Sequence, residues 1–146
     1  MNRYPEKLQE LVDTLALVED RQEKIQLLID IAERYRPVPE TIARKPYPET
    51  NKVPACESEA YVFTEKRPDG SLDFHFAVLN PQGISAMAMA VILDDTLSGV
   101  PPAEVAKVPG DLIYEIFGNE LSMGKSMGLM GMVGMVAMTA KKLAKT

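Results

Sequence analysis

Cys56 is the only cysteine in the 146-residue chain, and its thiol is the first side chain to consider for chemistry. It stands at the end of a proline-rich, polar stretch, where a thiol is not expected to fill a core. A lone cysteine cannot close an intramolecular disulfide. A thiolate is a strong nucleophile and an acceptor of transferred groups. Cys56 is therefore our first candidate for a catalytic residue.

Nucleophilic attack by Cys56 requires the thiolate, and a free cysteine is mostly protonated at neutral pH unless a cation or a helix terminus lies close by. The sequence offers two cations, Lys52 four residues earlier and Lys125 in the first predicted turn of the last helix. The carboxylate of Glu57 acts in the opposite direction. Ser58 is a further candidate contact of the thiol or of a partner. We expect low resting reactivity and activation when a partner docks.

Three other interpretations of the thiol have less support. Buried, inert cysteines are common, but a loop position argues against one here. A thiol-protease pair of Cys56 with His75, the only histidine, has no third group to orient it, and we expect His75 on the polar face of a strand, with Asp73 and Ala77. A thiol peroxidase or redox sensor usually needs a resolving cysteine, which this chain lacks.

Composition excludes several classes of function. One cysteine and one histidine cannot form the four-ligand shell of a structural zinc site, so we expect no tightly bound metal and no resident cofactor. The formal net charge of −5 argues against nucleic-acid and anionic-membrane surfaces. The apolar run at residues 127–140 is too short to span a bilayer and predicts a buried helix. The N-terminus does not resemble a secretory signal, so we expect a cytoplasmic protein.

Periodicity and turn residues predict an α+β fold, a small antiparallel sheet packed against several helices, in one domain over residues 1–146. A β-hairpin is expected around the Asp69-Gly70 turn. Five prolines make residues 36–54 a loop. The predicted segments are helices at 5–17, 20–35, 84–97, 111–117 and 123–144, and strands at 59–66 and 72–79.

Two of these helices carry patterns that predict burial. The second has Asp20 as its N-cap and an apolar stripe of Ile25, Leu28, Ile29 and Ala32. The last contains six methionines beside four glycines, and we expect the methionines to pack in the core and the glycines to lie against a neighbouring backbone. The methionine and glycine positions are Met123, Met127, Met130, Met132, Met135, Met138, Gly124, Gly128, Gly131 and Gly134.

Together these features resemble the SufE family. The resemblance rests on the order of elements and on three segments. Glu33-Arg34-Tyr35 comes directly before the proline-rich loop, and residues 53–58 (Val-Pro-Ala-Cys-Glu-Ser) come before a strand. Residues 121–129 (Leu-Ser-Met-Gly-Lys-Ser-Met-Gly-Leu) stand at the start of the last helix. It covers most of the chain. Lys125 stands where the family usually has an arginine, which replaces a bidentate contact by a point charge.

The resemblance implies a function in iron–sulfur cluster assembly. Cys56 would accept persulfide sulfur from a pyridoxal-phosphate cysteine desulfurase (SufS-like), stimulate that enzyme, and pass the sulfur to a scaffold complex (SufBCD-like). The chain would be a sulfur-transfer protein with a covalent cysteine persulfide and no independent turnover, either a monomer or a homodimer. The alternative is an adaptor or regulator that docks on a desulfurase or another enzyme without carrying sulfur.

Overall fold

A computed structural model describes residues 3–54, 56, 58–80, 83–119 and 121–144 of the chain. The five predicted helices and two predicted strands follow one another in the predicted order, with one further short helix among them, and the α+β fold is confirmed. Residues 49–51 add one 3₁₀ turn. The helices and strands are α1 (Glu6–Ala16), α2 (Arg21–Glu33), β1 (Ala60–Lys66), β2 (Leu72–Val78), α3 (Ile84–Leu97), α4 (Pro102–Val105), α5 (Leu112–Phe117) and α6 (Met123–Ala144).

The two strands form an antiparallel hairpin that has one core on each face. Ala60 pairs with Val78 and Lys66 with Leu72, so directly opposite residues point to the same side of the sheet. One face packs into the main core against the helices, through Ala60, Val62, Leu72, Phe74, Phe76 and Val78. The other face presents Tyr61, Phe63 and Ala77 to a second, smaller core. Gly70 closes the hairpin with a φ of 92°, which fits the predicted turn.

The proline-rich loop covers this second face of the sheet. Val38 is buried there, and its backbone N–H donates to Phe76 O at 2.8 Å. The ring of Tyr47 packs on Tyr61 and Phe63, with centroid distances of 5.1 and 5.4 Å. The loop therefore acts as an outer layer of the fold.

Two predictions of core packing hold only in part: Leu28 of α2 and Met130 and Met135 of α6 are partly buried and pack against the main core. Asp20 does cap α2, accepting from Gln22 N at 2.8 Å, but of the thirteen residues of α2, all of them described, Ala32 alone is buried. Of the six methionines of α6, also all described, Met132 alone is buried. Helix α6 is one-sided, since it buries Leu129, Met132, Val133, Val136 and Ala140. In both helices the nearby elements are too few to cover every apolar side chain.

The helix α4 is absent from the predicted segments. Proline at the first helical position is favourable, and Pro102 starts this single turn. Within the described residues, none of the helices is long and apolar enough to cross a membrane.

Candidate functional site

Cys56 lies in a tight return of the chain just before β1. Val53 N donates to Ala60 O at 2.8 Å, which ties the start of the segment to the strand. Glu59 N donates to Cys56 O at 3.3 Å, and Glu59 has a φ of 48°, a left-handed conformation that turns the chain into β1. Asn80 N donates to Ser58 O at 3.3 Å. The backbone around Cys56 is thus fixed to the first residue of β1 and to the chain just after β2.

Glycines of α6 allow this segment to lie directly on the helix. A Cβ placed on Gly128 would be 2.9 Å from Cys56 Cα and 3.3 Å from Cys56 Sγ. A Cβ on Gly131 would be 3.0 Å from a Val53 methyl group and 3.1 Å from Pro54 O. The predicted contact between these glycines and a neighbouring backbone is confirmed at Gly128 and Gly131, where the neighbour is the Cys56 segment. Cys56 is consequently half-buried and packs against the main core.

The Cys56 pocket is a cavity of about 170 Å³ in front of this segment. The described residues that line it come from three parts of the chain: the cysteine segment, the start of α3 and the start of α6. They are Cys56, Ser58, Gly83, Ile84, Ser85, Ala86, Gly124, Lys125, Gly128 and Leu129. A close approach fixes one wall, since a Cβ on Gly83 would lie 2.7 Å from Ser58 Oγ.

Two helix N-termini therefore face the same pocket. The first turn of an α-helix has backbone N–H groups without intrahelical acceptors, and it carries the positive end of the helix dipole. At α3 the N-cap is Gly83, and among the described residues no side chain caps this end. At α6 the hydroxyl of Ser122 accepts from Lys125 N at 3.2 Å. Both helices favour negative charge in the pocket, as a thiolate or persulfide would supply.

The structure brings together some of the predicted site residues and separates others. Lys125 and Ser58 line the pocket with Cys56. Lys52 is absent from the described lining, and its Nζ lies 3.8 Å from Glu59 Oε1. Glu57 lies outside the described residues.

His75 is not among the described residues that line the Cys56 pocket. It lies on β2 beside a different cavity, with Nε2 3.2 Å from Glu65 Oε1. No structural basis for a Cys56–His75 pair is therefore present among the described residues. They also contain no cluster of three or more acidic, histidine or cysteine side chains that could hold a metal ion.

Sequence reasoning missed the contribution of α3 to this pocket. No site residue was predicted before or at the start of α3, although Gly83 is the residue that admits Ser58. The available indication was Gly83 itself, which stands directly before α3 in the position where a polar N-cap residue is usual. Residues 84–86 could not be assigned to the Cys56 pocket without the tertiary structure.

Comparisons with known proteins agree with this fold. The solution structure of a hypothetical protein from Thermus thermophilus superposes with a TM-score of 0.74 at 21% sequence identity, covering 98% of this chain and 99% of that one. No curated protein matches the chain. The family model described as "SufE: Fe-S metabolism associated domain" matches residues 9–140, which is nearly the whole chain. The chain therefore belongs to the SufE family, whose domain is associated with iron–sulfur metabolism.

Proposed function

We propose that this protein carries sulfur on Cys56. It accepts persulfide sulfur from a pyridoxal-phosphate cysteine desulfurase (SufS-like), stimulates that enzyme, and delivers the sulfur to an iron–sulfur scaffold complex (SufBCD-like) in the cytoplasm. The pyridoxal phosphate belongs to the desulfurase. This chain contributes the thiol and its pocket, within a single domain.

The observation that carries the proposal is the placement of the only thiol on a pocket that two helix N-termini face. An inert structural cysteine needs no such surroundings. A carrier must stabilise an anion twice, as the attacking thiolate and as the persulfide that it becomes. Each helix N-terminus contributes on the order of 0.3 to 1 kcal/mol to such an anion at an exposed site. The ammonium of Lys125 adds a third favourable charge.

The transfer step conserves atoms and electrons. Cys56 Sγ, as the thiolate, attacks the terminal sulfur of the persulfide on the donor cysteine. A new S–S bond forms at Cys56 while the S–S bond of the donor breaks, and its electron pair leaves as the thiolate of the donor cysteine. No external oxidant or reductant is consumed. The proton released by Cys56 can return to the donor thiolate through solvent.

The size of the pocket fits a persulfide. Its volume of about 170 Å³ is several times the share of about 30 Å³ that one water molecule occupies in the liquid. An extra sulfur on Cys56 can therefore turn into the pocket beside Ser58 and Lys125. The close contact of Cys56 with α6 protects the resting thiol, because one side of it is covered by Gly128.

A Cys56→Ser variant separates the carrier from the adaptor. The serine keeps the size and the backbone but does not accept sulfur. We expect wild-type protein to raise the rate of sulfide release from L-cysteine by the desulfurase and the variant to leave that rate at its basal value. If the Cys56→Ser variant still stimulates the desulfurase, the result contradicts the carrier function and supports an adaptor that does not carry sulfur.

A further inference from the structure

Helix α2 exposes aliphatic side chains that the fold leaves uncovered. Ile25 is 40% exposed, and Leu28 and Ile29 are only half-buried, although α2 packs beside α3. An amphipathic helix normally packs such an apolar stripe against the core of the protein. Here the stripe forms one wall of a groove.

The groove has a volume of about 560 Å³ and runs between α2, the start of α3 and the connection from α5 to α6. Its apolar lining includes Ile25, Leu28, Ile29, Ile84, Phe117 and Leu121. We call it the α2 groove. Grooves of this kind take the apolar face of a helix, with aliphatic side chains as anchors.

Basic residues predominate at the α2 groove, although the chain as a whole carries a formal charge of −5. Among the described residues of its lining, Arg21, Lys24 and Lys125 are basic and Glu19 alone is acidic. This local excess of positive charge, on an otherwise acidic protein, matches a partner segment that carries carboxylates beside its apolar side chains.

The α2 groove is continuous with the Cys56 pocket. Ile84, Ser85 and Lys125 line both cavities, and Ile84 is 46% exposed at their junction. A segment bound in the groove therefore ends beside the thiol. Such a segment would contact the start of α6, where Gly128 supports Cys56.

We propose that the α2 groove is the docking site for the sulfur donor, and that its occupant is an amphipathic, acidic helix of the cysteine desulfurase. This inference rests on the proposed function, because the donor is identified through the sulfur chemistry of Cys56. Docking there holds the donor at the entrance of the Cys56 pocket, and apart from Lys125 the affinity comes from residues that take no part in the bond-forming step.

Ile25 and Leu27 provide a matched test of the groove. They lie two residues apart on α2 and are 40% and 39% exposed, but Leu27 is outside the groove lining. Each is changed to aspartate in the full-length chain. Binding to the cysteine desulfurases of the same genome is measured by calorimetry in the Cys56→Ser background, which removes sulfur transfer, and persulfide on Cys56 is measured in parallel with the wild-type thiol.

We expect Ile25→Asp to weaken binding at least tenfold and Leu27→Asp less than twofold. Thermal unfolding should be similar for both variants, since both side chains are partly exposed. Lys24→Glu should also weaken binding, and the loss should shrink as salt is added. Alkylation of Cys56 without the partner should not change.

Equal binding by Ile25→Asp and Leu27→Asp, with normal persulfide formation on Cys56, contradicts the α2 groove as the docking site and leaves the carrier function intact. If Ile25→Asp weakens binding but no persulfide forms on Cys56, the result supports the α2 groove as the docking site and contradicts the carrier function. If the wild-type chain neither binds a desulfurase nor gains sulfur, both proposals fail.

Discussion

Replacing Gly128 by alanine tests whether α6 holds the Cys56 segment in place. The added methyl carbon would lie 2.9 Å from Cys56 Cα, a backbone atom that a side-chain rotation cannot move away. Ordinary carbon contacts need about 3.5 to 4.0 Å. The segment must therefore shift outward by roughly the difference, on the order of 1 Å.

Two opposing terms set the effect of Gly128→Ala on stability. Alanine favours the helix over glycine by about 1 kcal/mol. Overpacking against a fixed neighbour costs about 1 to 3 kcal/mol. We expect a net change between zero and about 2 kcal/mol of destabilisation, together with alkylation of Cys56 that is several times faster because the thiol moves outward.

Gly134→Ala is the control for this experiment. Gly134 lies on the same helix, and a Cβ placed there meets no described atom within 4 Å. That variant should gain up to about 1 kcal/mol of stability from helix propensity and keep the wild-type alkylation rate. The two variants are compared by chemical denaturation and by the rate of reaction of Cys56 with iodoacetamide. Identical stability changes and identical alkylation rates would refute the claim that Gly128 supports the cysteine segment.

Two further predictions concern charged groups. Lys125→Ala should slow sulfur transfer about fivefold, because it removes an exposed charge that contributes about 1 kcal/mol beside the pocket. Lys125→Glu should slow it more, because it also reverses the charge. Unchanged single-turnover rates for both variants would show that Lys125 does not act on the thiol. Asp73 accepts from Arg67 Nε at 2.9 Å, and this bond holds the pKa of the carboxyl below its usual range. The stabilisation is therefore complete above the unfolded-state pKa of about 3.9 and is lost as the pH falls through the lower folded-state pKa. Asp73→Asn should flatten the pH dependence of unfolding between about pH 5 and 2, and an unaltered slope would contradict the assignment.

The order and bounds of the elements followed closely from local sequence patterns. The Asp69-Gly70 turn specified the hairpin, because the turn type fixes the register of the two strands. Helices α3 and α6 begin within a residue of their predicted positions. Cys56, Ser58 and Lys125 were named from the sequence, and all three line one pocket.

The exposed faces and the composition of the pocket could not be predicted in the same way. Periodicity shows that α2 has an apolar stripe, but whether a stripe is covered depends on which elements pack beside it. Residues 84–86 and Cys56 are far apart in sequence, and only tertiary packing places the N-terminus of α3 beside the thiol. Lys52 was expected near the thiol from its sequence spacing, yet the chain turns and places its ammonium beside Glu59.

The central claim is that Cys56 itself carries sulfur, and mass spectrometry of the intact protein tests it most directly. The protein is incubated with a cysteine desulfurase and L-cysteine, separated under non-reducing conditions, and digested to locate the modification. The account predicts a gain of one sulfur atom, on the peptide that contains Cys56, that disappears after treatment with a reductant. Sulfide release by an active desulfurase, with the mass of this chain unchanged, would contradict the account.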